Sequence, residues 1–224
     1  MRLSECLKMW RVSTLMRYTG RIMLTVFKPA VEKGLEPVAR LLKHVSPNTI
    51  SMFGLVFPVL FFIFVMRGWY ALALFVFIFN GLDLLDGMVA RATNKVTAFG
   101  GFLDSTIDRF ADFTVIAALG FAGLVGWNII LPFIMLTYLI SYIRSRTELA
   151  ALSAGNTLVA SVGLIERTER LVAIFIGLLL YAIFPHVMLW HQNLIGVIFI
   201  ILIVLSVITV WQRVVFAYKK LSKQ

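Results

Sequence analysis

All five aspartates of this 224-residue chain fall between Asp83 and Asp112. Asp83 and Asp86 are three residues apart, while Asp104, Asp108 and Asp112 follow one another at steps of four. On helices those steps put each set on one face. Two such helices facing one another gather at least four carboxylates, which repel and hold protons unless something positive lies between them. Arg91 and Arg109 are too few to balance five aspartates. A hard divalent cation does so, and ligands that are all oxygen suit Mg²⁺, Mn²⁺ or Ca²⁺. Gly87, Ala90, Gly100 and Gly101 leave space for a bulky anionic group against the helix backbone. Arg91 is placed to meet phosphate. Carboxylates, metal and arginine together spell diphosphate chemistry, in which metal ions stabilise both the attacking and the leaving oxygen.

The elements that carry these residues are apolar. The chain is 60% hydrophobic and 14% charged, with a mean hydropathy of +0.92, unlike a soluble domain, a coiled coil or a disordered chain. A carboxylate at depth in such a chain is costly and marks function. Six stretches, roughly 48–67, 70–91, 98–125, 127–146, 170–185 and 193–216, have the length and composition of membrane crossings. The expected fold is all-α: one polytopic domain of six transmembrane helices over 48–216, with an N-terminal segment 1–47 and a basic tail 217–224. Within the N-terminal segment, apolar residues from Met23 to Leu42 recur at three- and four-residue steps with Lys28, Lys33, Arg40 and Lys43 between them. This predicts an amphipathic juxtamembrane helix over about 19–44 that lies on the cytoplasmic interface or packs on the bundle. Ser46-Pro47-Asn48 ends it. A polar loop is expected over 147–168.

The net charge is +10, but its distribution follows topology. Basic residues crowd before Pro47, between Arg144 and Arg170, and after Arg213, while the turns near Gly126 and Pro185 carry none. That is the positive-inside pattern, with both termini and the aspartates on the cytoplasmic side of the cell membrane. It leaves nucleic acid out as a partner. Cys6 is the sole cysteine, so no internal disulfide or thiolate cluster forms. His44, His186 and His191 are too scattered for a metal triad. The opening MRLSECLKMW lacks the long apolar run of a removable signal peptide.

The run Asp83-Leu-Leu-Asp86-Gly87-Met-Val-Ala90-Arg91, eight residues, Gly100, three residues, Asp104, three residues, Asp108 resembles the signature of the CDP-alcohol phosphatidyltransferase family at every fixed position. The resemblance implies a homodimeric six-helix enzyme that displaces CMP from a CDP-lipid by an alcohol, using two divalent cations, Mg²⁺ or Mn²⁺. It implies Asp83, Asp86, Asp104 and Asp108 as metal ligands, with Asp108 also the base for the acceptor hydroxyl. It further implies Gly87, Arg91 and Thr97 as contacts to the CDP group, together with the segment Asn48, Thr49, Ile50 and Ser51. Asp112 lies outside the signature and has no role assigned by it.

A second basic cluster bears on the acceptor. Arg144 and Arg146, Arg167 and Arg170, and Arg213 sit at three helix ends on one side. Singly they serve topology; jointly they form a pocket for a second phosphate, with Glu148, Glu166 and Glu169 available to orient them. The stretches around Arg144, Arg170 and Arg213 resemble those of the phosphatidylinositol-phosphate synthase subgroup and its archaeal counterparts, whose lipid is CDP-archaeol. That implies Arg144, Arg170 and Arg213 as acceptor-phosphate ligands and a phosphorylated polyol, inositol phosphate, as the acceptor. Bacterial members carry lysine where this chain has Arg144. Glycerol 3-phosphate is the nearest rival acceptor. An intramembrane prenyltransferase and an aspartate-lined cation channel or transporter are readings of other classes; the channel leaves the spacing of Gly87, Ala90, Arg91 and Gly100 unexplained.

Overall fold

The computed structural model describes residues 34, 36–38, 41–79, 83–160 and 162–222, with the side chains of 43, 83 and 84 outside the description. The amphipathic helix expected over 19–44 therefore lies mostly outside the described residues. Among these, 36–38 and 41 are helical and Leu42–His44 forms a 3₁₀ turn.

Among the described residues, eight α-helices follow: α1 Pro47–Gly54, α2 Val56–Met66, α3 Tyr70–Ile78, α4 Asp83–Ala92, α5 Ala98–Phe121, α6 Trp127–Ser153, α7 Arg167–Ile183 and α8 Leu194–Leu221. Helices α1 and α2 form one near-continuous rod, interrupted at Leu55. Pro58 has no N–H to offer the carbonyl of Gly54, and the ladder breaks there. Among the described residues, three helical segments are long and apolar enough to cross a membrane: Pro47–Met66, Trp127–Ser153 and Leu194–Leu221. Helix α7 has 17 residues, and the 24 of α5 carry the polar face that holds Asp104, Asp108 and Asp112.

The core lies between α2, α3, α5, α6, α7 and α8. Phe61, Val65, Leu119, Ile130, Phe133, Ile174, Leu178 and Phe199 are almost wholly enclosed. Aromatic pairs lock the seams: Phe61 meets Phe77 edge-on at 5.3 Å, and Phe133 meets Phe199 at 5.0 Å. Large apolar side chains such as Leu72, Phe75, Leu131, Met135, Val204 and Trp211 point outward. A molecule apolar both inside and outside suits a bilayer.

The structure departs from the expected elements in three places. Helix α6 continues seven residues beyond the expected end of its span at 146, to Ser153. Arg144 pairs with Glu148 one turn on, and Gly155 at φ +78° supplies the left-handed residue that stops it. Helix α8 runs to Leu221, so most of the expected tail is helical. The chain is not purely α-helical: Met188–Leu189 and Gln192–Asn193 pair antiparallel around Trp190 and His191, both at positive φ.

Candidate active site

The site begins where α1 meets α4. Leu85 and Val89 are buried against Leu42 and Ile50, a small apolar cluster separate from the main core. It seats α4 on α1, with Asp86 beside Ser51. There the Ser51 hydroxyl donates to Asp86 Oδ2. Asp86 is 7% exposed, so this hydroxyl is a fixed partner to a buried carboxylate.

Two cavities meet at this point. The first, about 380 Å³, is walled by aliphatic and aromatic groups including Leu42, Val45, Phe53, Phe57, Phe79 and Ile107, and by Thr49 and Ile50. Its polar end is formed by Ser51, Asp86, Asp104, Asp108 and Arg167. The second, about 260 Å³, is lined by Asn48, Ser51, Asp86, Gly87, Ala90, Arg91, Lys95, Thr97, Gly100, Gly101 and Asp104. Ser51, Asp86 and Asp104 belong to both.

The small residues of the second cavity are there for space. A Cβ on Gly100 would lie 3.0 Å from Thr97 Oγ1 and 3.4 Å from Asn48 Oδ1. Thr97 caps α5 by accepting from the Gly100 N–H at 3.0 Å, and the start of α5 lines the cavity with Thr97, Gly100 and Gly101. A Cβ on Gly87 would sit 3.3 Å from Arg91 Nη1, because the guanidinium folds back over that bare backbone. The seven residues assigned to the CDP group from sequence thus line these two cavities, which adjoin.

Behind Asp104 the face of α5 meets α7. Arg167 and Arg170 stand three apart on α7, opposite Asp108 and Asp112, four apart on α5. Arg167 Nη1 lies 2.7 Å from Asp108 Oδ1, and its Nε donates to Asp112 Oδ1 at 2.9 Å. Arg170 Nη2 and Arg109 Nη1 each lie 3.9 Å from Asp112 Oδ2. Ion pairing thus involves Asp108 and Asp112, with Arg109 joined by Arg167 and Arg170. Arg109 is itself fastened to α6: its Nε donates to Ser141 Oγ at 2.8 Å, and its carbonyl accepts from the Tyr138 hydroxyl at 3.0 Å.

The three arginines expected to take the acceptor's phosphate differ in setting. Arg170 is 5% exposed, and its Nη1 is buried with no hydrogen-bond partner among the described residues. Arg213 is buried too, but it donates from Nε to the Val162 carbonyl and from Nη1 to the Ile140 carbonyl, both at 2.7 Å. Gly163 makes room for this, since a Cβ there would fall 2.6 Å from Thr209 Cγ2. Arg144 is exposed and pairs with Glu148 at 3.1 Å. Arg213 lies within electrostatic range of both Arg144 and Arg170. Of the glutamates expected to orient arginines, Glu148 does so and also accepts from the Ala160 N–H at 3.0 Å. Glu166 and Glu169 instead form the capping box of α7.

A divalent cation fits the donor set: Asp86, Asp104 and Asp108 line one cavity, and their ligand atoms are all hard oxygens. Asp83 opens α4 one turn before Asp86. Among the described residues, no three carboxylate, histidine or cysteine side chains are gathered tightly enough to hold one ion between them.

The helical scaffold, the aspartate-lined double cavity and the sequence agree in class. Residues 44–218 match the CDP-alcohol phosphatidyltransferase family, and the chain belongs to it. It is a membrane enzyme of phospholipid biosynthesis. Its relatives narrow the comparison. The archaetidylinositol phosphate synthase of Pyrococcus horikoshii is 36% identical over 203 residues, covering 89% of this chain and 99% of that one. The crystal structure of Mycobacterium tuberculosis phosphatidylinositol phosphate synthase with CDP-DAG bound superposes with a TM-score of 0.68 at 30% identity, over 81% of this chain and 92% of the other. A second structure of that enzyme, in complex with manganese and citrate, has the same score and identity, over 81% and 88% of the two chains.

Proposed function

We propose that the enzyme displaces CMP from a CDP-lipid by a hydroxyl of inositol phosphate, giving a phosphatidyl- or archaetidylinositol phosphate. The observation that carries this reading is the junction of an apolar and a polar cavity at Ser51, Asp86 and Asp104, with buried arginines just beyond Asp108. The apolar cavity suits lipid chains, and the polar one suits a nucleotide diphosphate. The relatives named for inositol phosphate lipids support the acceptor.

In this reading Asn48, Thr49, Ile50, Ser51, Gly87, Arg91 and Thr97 seat the CDP-lipid. Gly87 and Gly100 let the diphosphate approach the backbone, and Arg91 neutralises it. Asp83, Asp86, Asp104 and Asp108 would hold two divalent cations, Mg²⁺ or Mn²⁺, which supply charge stabilisation to the attacking and leaving oxygens when bound. Ser51 fixes the rotamer of Asp86. Arg144, Arg170 and Arg213 receive the acceptor's phosphate and so aim its hydroxyl at the diphosphate. Asp108 takes the hydroxyl proton. The acceptor oxygen then bonds to the phosphorus bearing the lipid, and the bond from that phosphorus to CMP breaks.

The architecture belongs to the same reading: six crossings, with α3 and α4 together as the second and α5 and α7 as the third and fifth. The active site and both termini face the cytoplasm, the N-terminal segment rests on the membrane, and the enzyme works as a homodimer. The test is CMP release from labelled CDP-lipid by detergent-solubilised protein with Mg²⁺ and either inositol phosphate or glycerol 3-phosphate. Turnover with inositol phosphate at the higher kcat/KM is expected; preference for glycerol 3-phosphate would reassign the acceptor within the family.

A further inference from the structure

Asp112 has no part in the chemistry described so far, yet it is 3% exposed and faces three guanidinium groups. Arg167 donates to it from Nε at 2.9 Å, and Arg109 and Arg170 approach its other oxygen at 3.9 Å. Together Asp108 and Asp112 set two carboxylates against three guanidinium groups. Arg167 is also shared: its Nη1 reaches Asp108 Oδ1 at 2.7 Å.

A guanidinium is a rigid planar fork. Anchoring its Nε edge fixes the plane and the direction of its remaining N–H groups. With the Nε edge held by Asp112, Nη1 of Arg167 faces Asp108 Oδ1. Released from that anchor, it is free to close on Asp108 with two parallel hydrogen bonds, the preferred arginine–carboxylate geometry. That would engage both oxygens of a carboxylate needed for a cation and for a proton. Asp112 also faces Nη2 of Arg170, whose other nitrogen, Nη1, is buried without a hydrogen-bond partner among the described residues.

We propose that Asp112 is a positioning residue that divides Arg167 between two carboxylates and holds Arg170 in place, so that one side chain sets both the cation side and the acceptor-phosphate side of the site. The inference rests on the acceptor and metal assignments proposed above. It predicts coupling between two readouts that a merely structural carboxylate would not link.

The experiment compares wild type with Asp112→Asn, a neutral isostere, as full-length protein in detergent. At saturating CDP-lipid, the KM for inositol phosphate should rise about tenfold or more, the scale of one charge-assisted hydrogen bond, while the KM for CDP-lipid stays within about twofold. Mn²⁺ affinity, read from the free-ion EPR signal without nucleotide or acceptor, should weaken severalfold because Arg167 then competes undivided for Asp108. Adding Arg167→Gln to Asp112→Asn should restore Mn²⁺ affinity and leave the acceptor KM high. Unchanged Mn²⁺ affinity or unchanged acceptor KM in a folded Asp112→Asn protein overturns the proposal. If that variant does not fold, Arg167→Gln alone decides: tighter Mn²⁺ binding supports the proposal, and unchanged or weaker binding overturns it. The Mn²⁺ measurement needs no acceptor, so a wrong acceptor assignment is distinguishable from a wrong role for Asp112. Should glycerol 3-phosphate prove to be the acceptor, the KM measurement is made with it.

Discussion

Ser51 donates its hydroxyl proton to Asp86 across 35 positions of sequence, joining the helix that begins at Pro47 to the helix that carries the first aspartates. Such a bond to a carboxylate contributes roughly 1.5–3 kcal/mol. Ser51→Ala should therefore lower kcat/KM for CDP-lipid by about tenfold or more. Ser51→Thr should retain more activity than alanine, since it keeps the hydroxyl. Steady-state CMP release against CDP-lipid concentration measures both, and equal loss in the two variants would point to packing instead of the hydrogen bond.

Asp83→Asn, Asp86→Asn and Asp104→Asn should each reduce turnover to near background while the protein stays folded. Ligands of one joint site are not independent, so the double variants should lose little more than the singles. EDTA should reproduce the loss in wild type, and Mg²⁺ or Mn²⁺ should reverse it. In metal-free buffer the variants should melt at or above the wild-type temperature, because removing one carboxylate relieves repulsion. Full activity in EDTA would contradict the metal assignment.

Asp108→Asn should separate binding from chemistry. As the proton acceptor, Asp108 accounts for about 10²–10⁴-fold in rate, so single-turnover CMP formation should fall on that scale while CDP-lipid binding persists. Parallel loss of binding would recast Asp108 as a ligand alone.

The three acceptor arginines should not behave alike. Arg170→Ala should raise the KM for inositol phosphate about tenfold or more, because its buried Nη1, without a hydrogen-bond partner among the described residues, is available to the acceptor. Arg213→Ala should raise the same KM and also lower the melting temperature, since it removes two bonds to backbone carbonyls. Arg144→Lys should be mild, keeping charge and losing only fork geometry. Acceptor titrations and thermal melts on the same preparations separate these outcomes.

Gly163→Ala tests the support beneath Arg213. Its added methyl would fall 2.6 Å from Thr209 Cγ2, and such overpacking costs about 1–3 kcal/mol. A lowered melting temperature and a raised acceptor KM are expected together, because the same loop presents the Val162 carbonyl to Arg213.

Much of this site was legible in the sequence because spacing fixes faces. Steps of three and four among the aspartates placed them on common helix sides, and Asp86, Asp104 and Asp108 do line one cavity. Spacing does not say what stands opposite. Arg167 and Asp112 are 55 residues apart, and only the fold, which brings the start of α7 within side-chain reach of α5, makes them partners. Glu166 and Glu169 stand beside arginines in the sequence and so look available to orient them, yet their three-residue interval at a helix start is equally a capping signal. The hairpin was missed because Trp190-His191 is not a dipeptide that announces a turn with both residues at positive φ. The extension of α6 to Ser153 falls where hydropathy declines while helix propensity does not, so a limit drawn by membrane thickness stops short of the helix.

The meeting of the aliphatic cavity with the polar one at Ser51, Asp86 and Asp104 has a kinetic consequence. The two substrates arrive in different dimensions. The lipid reaches the enzyme by diffusion within a sheet, so its effective concentration is a mole fraction of that sheet; the acceptor is counted per volume of water. Diluting the enzyme's membrane with inert lipid at constant total CDP-lipid should therefore slow the reaction as if substrate had been removed. Diluting the aqueous phase at fixed acceptor concentration should leave the rate per enzyme unchanged.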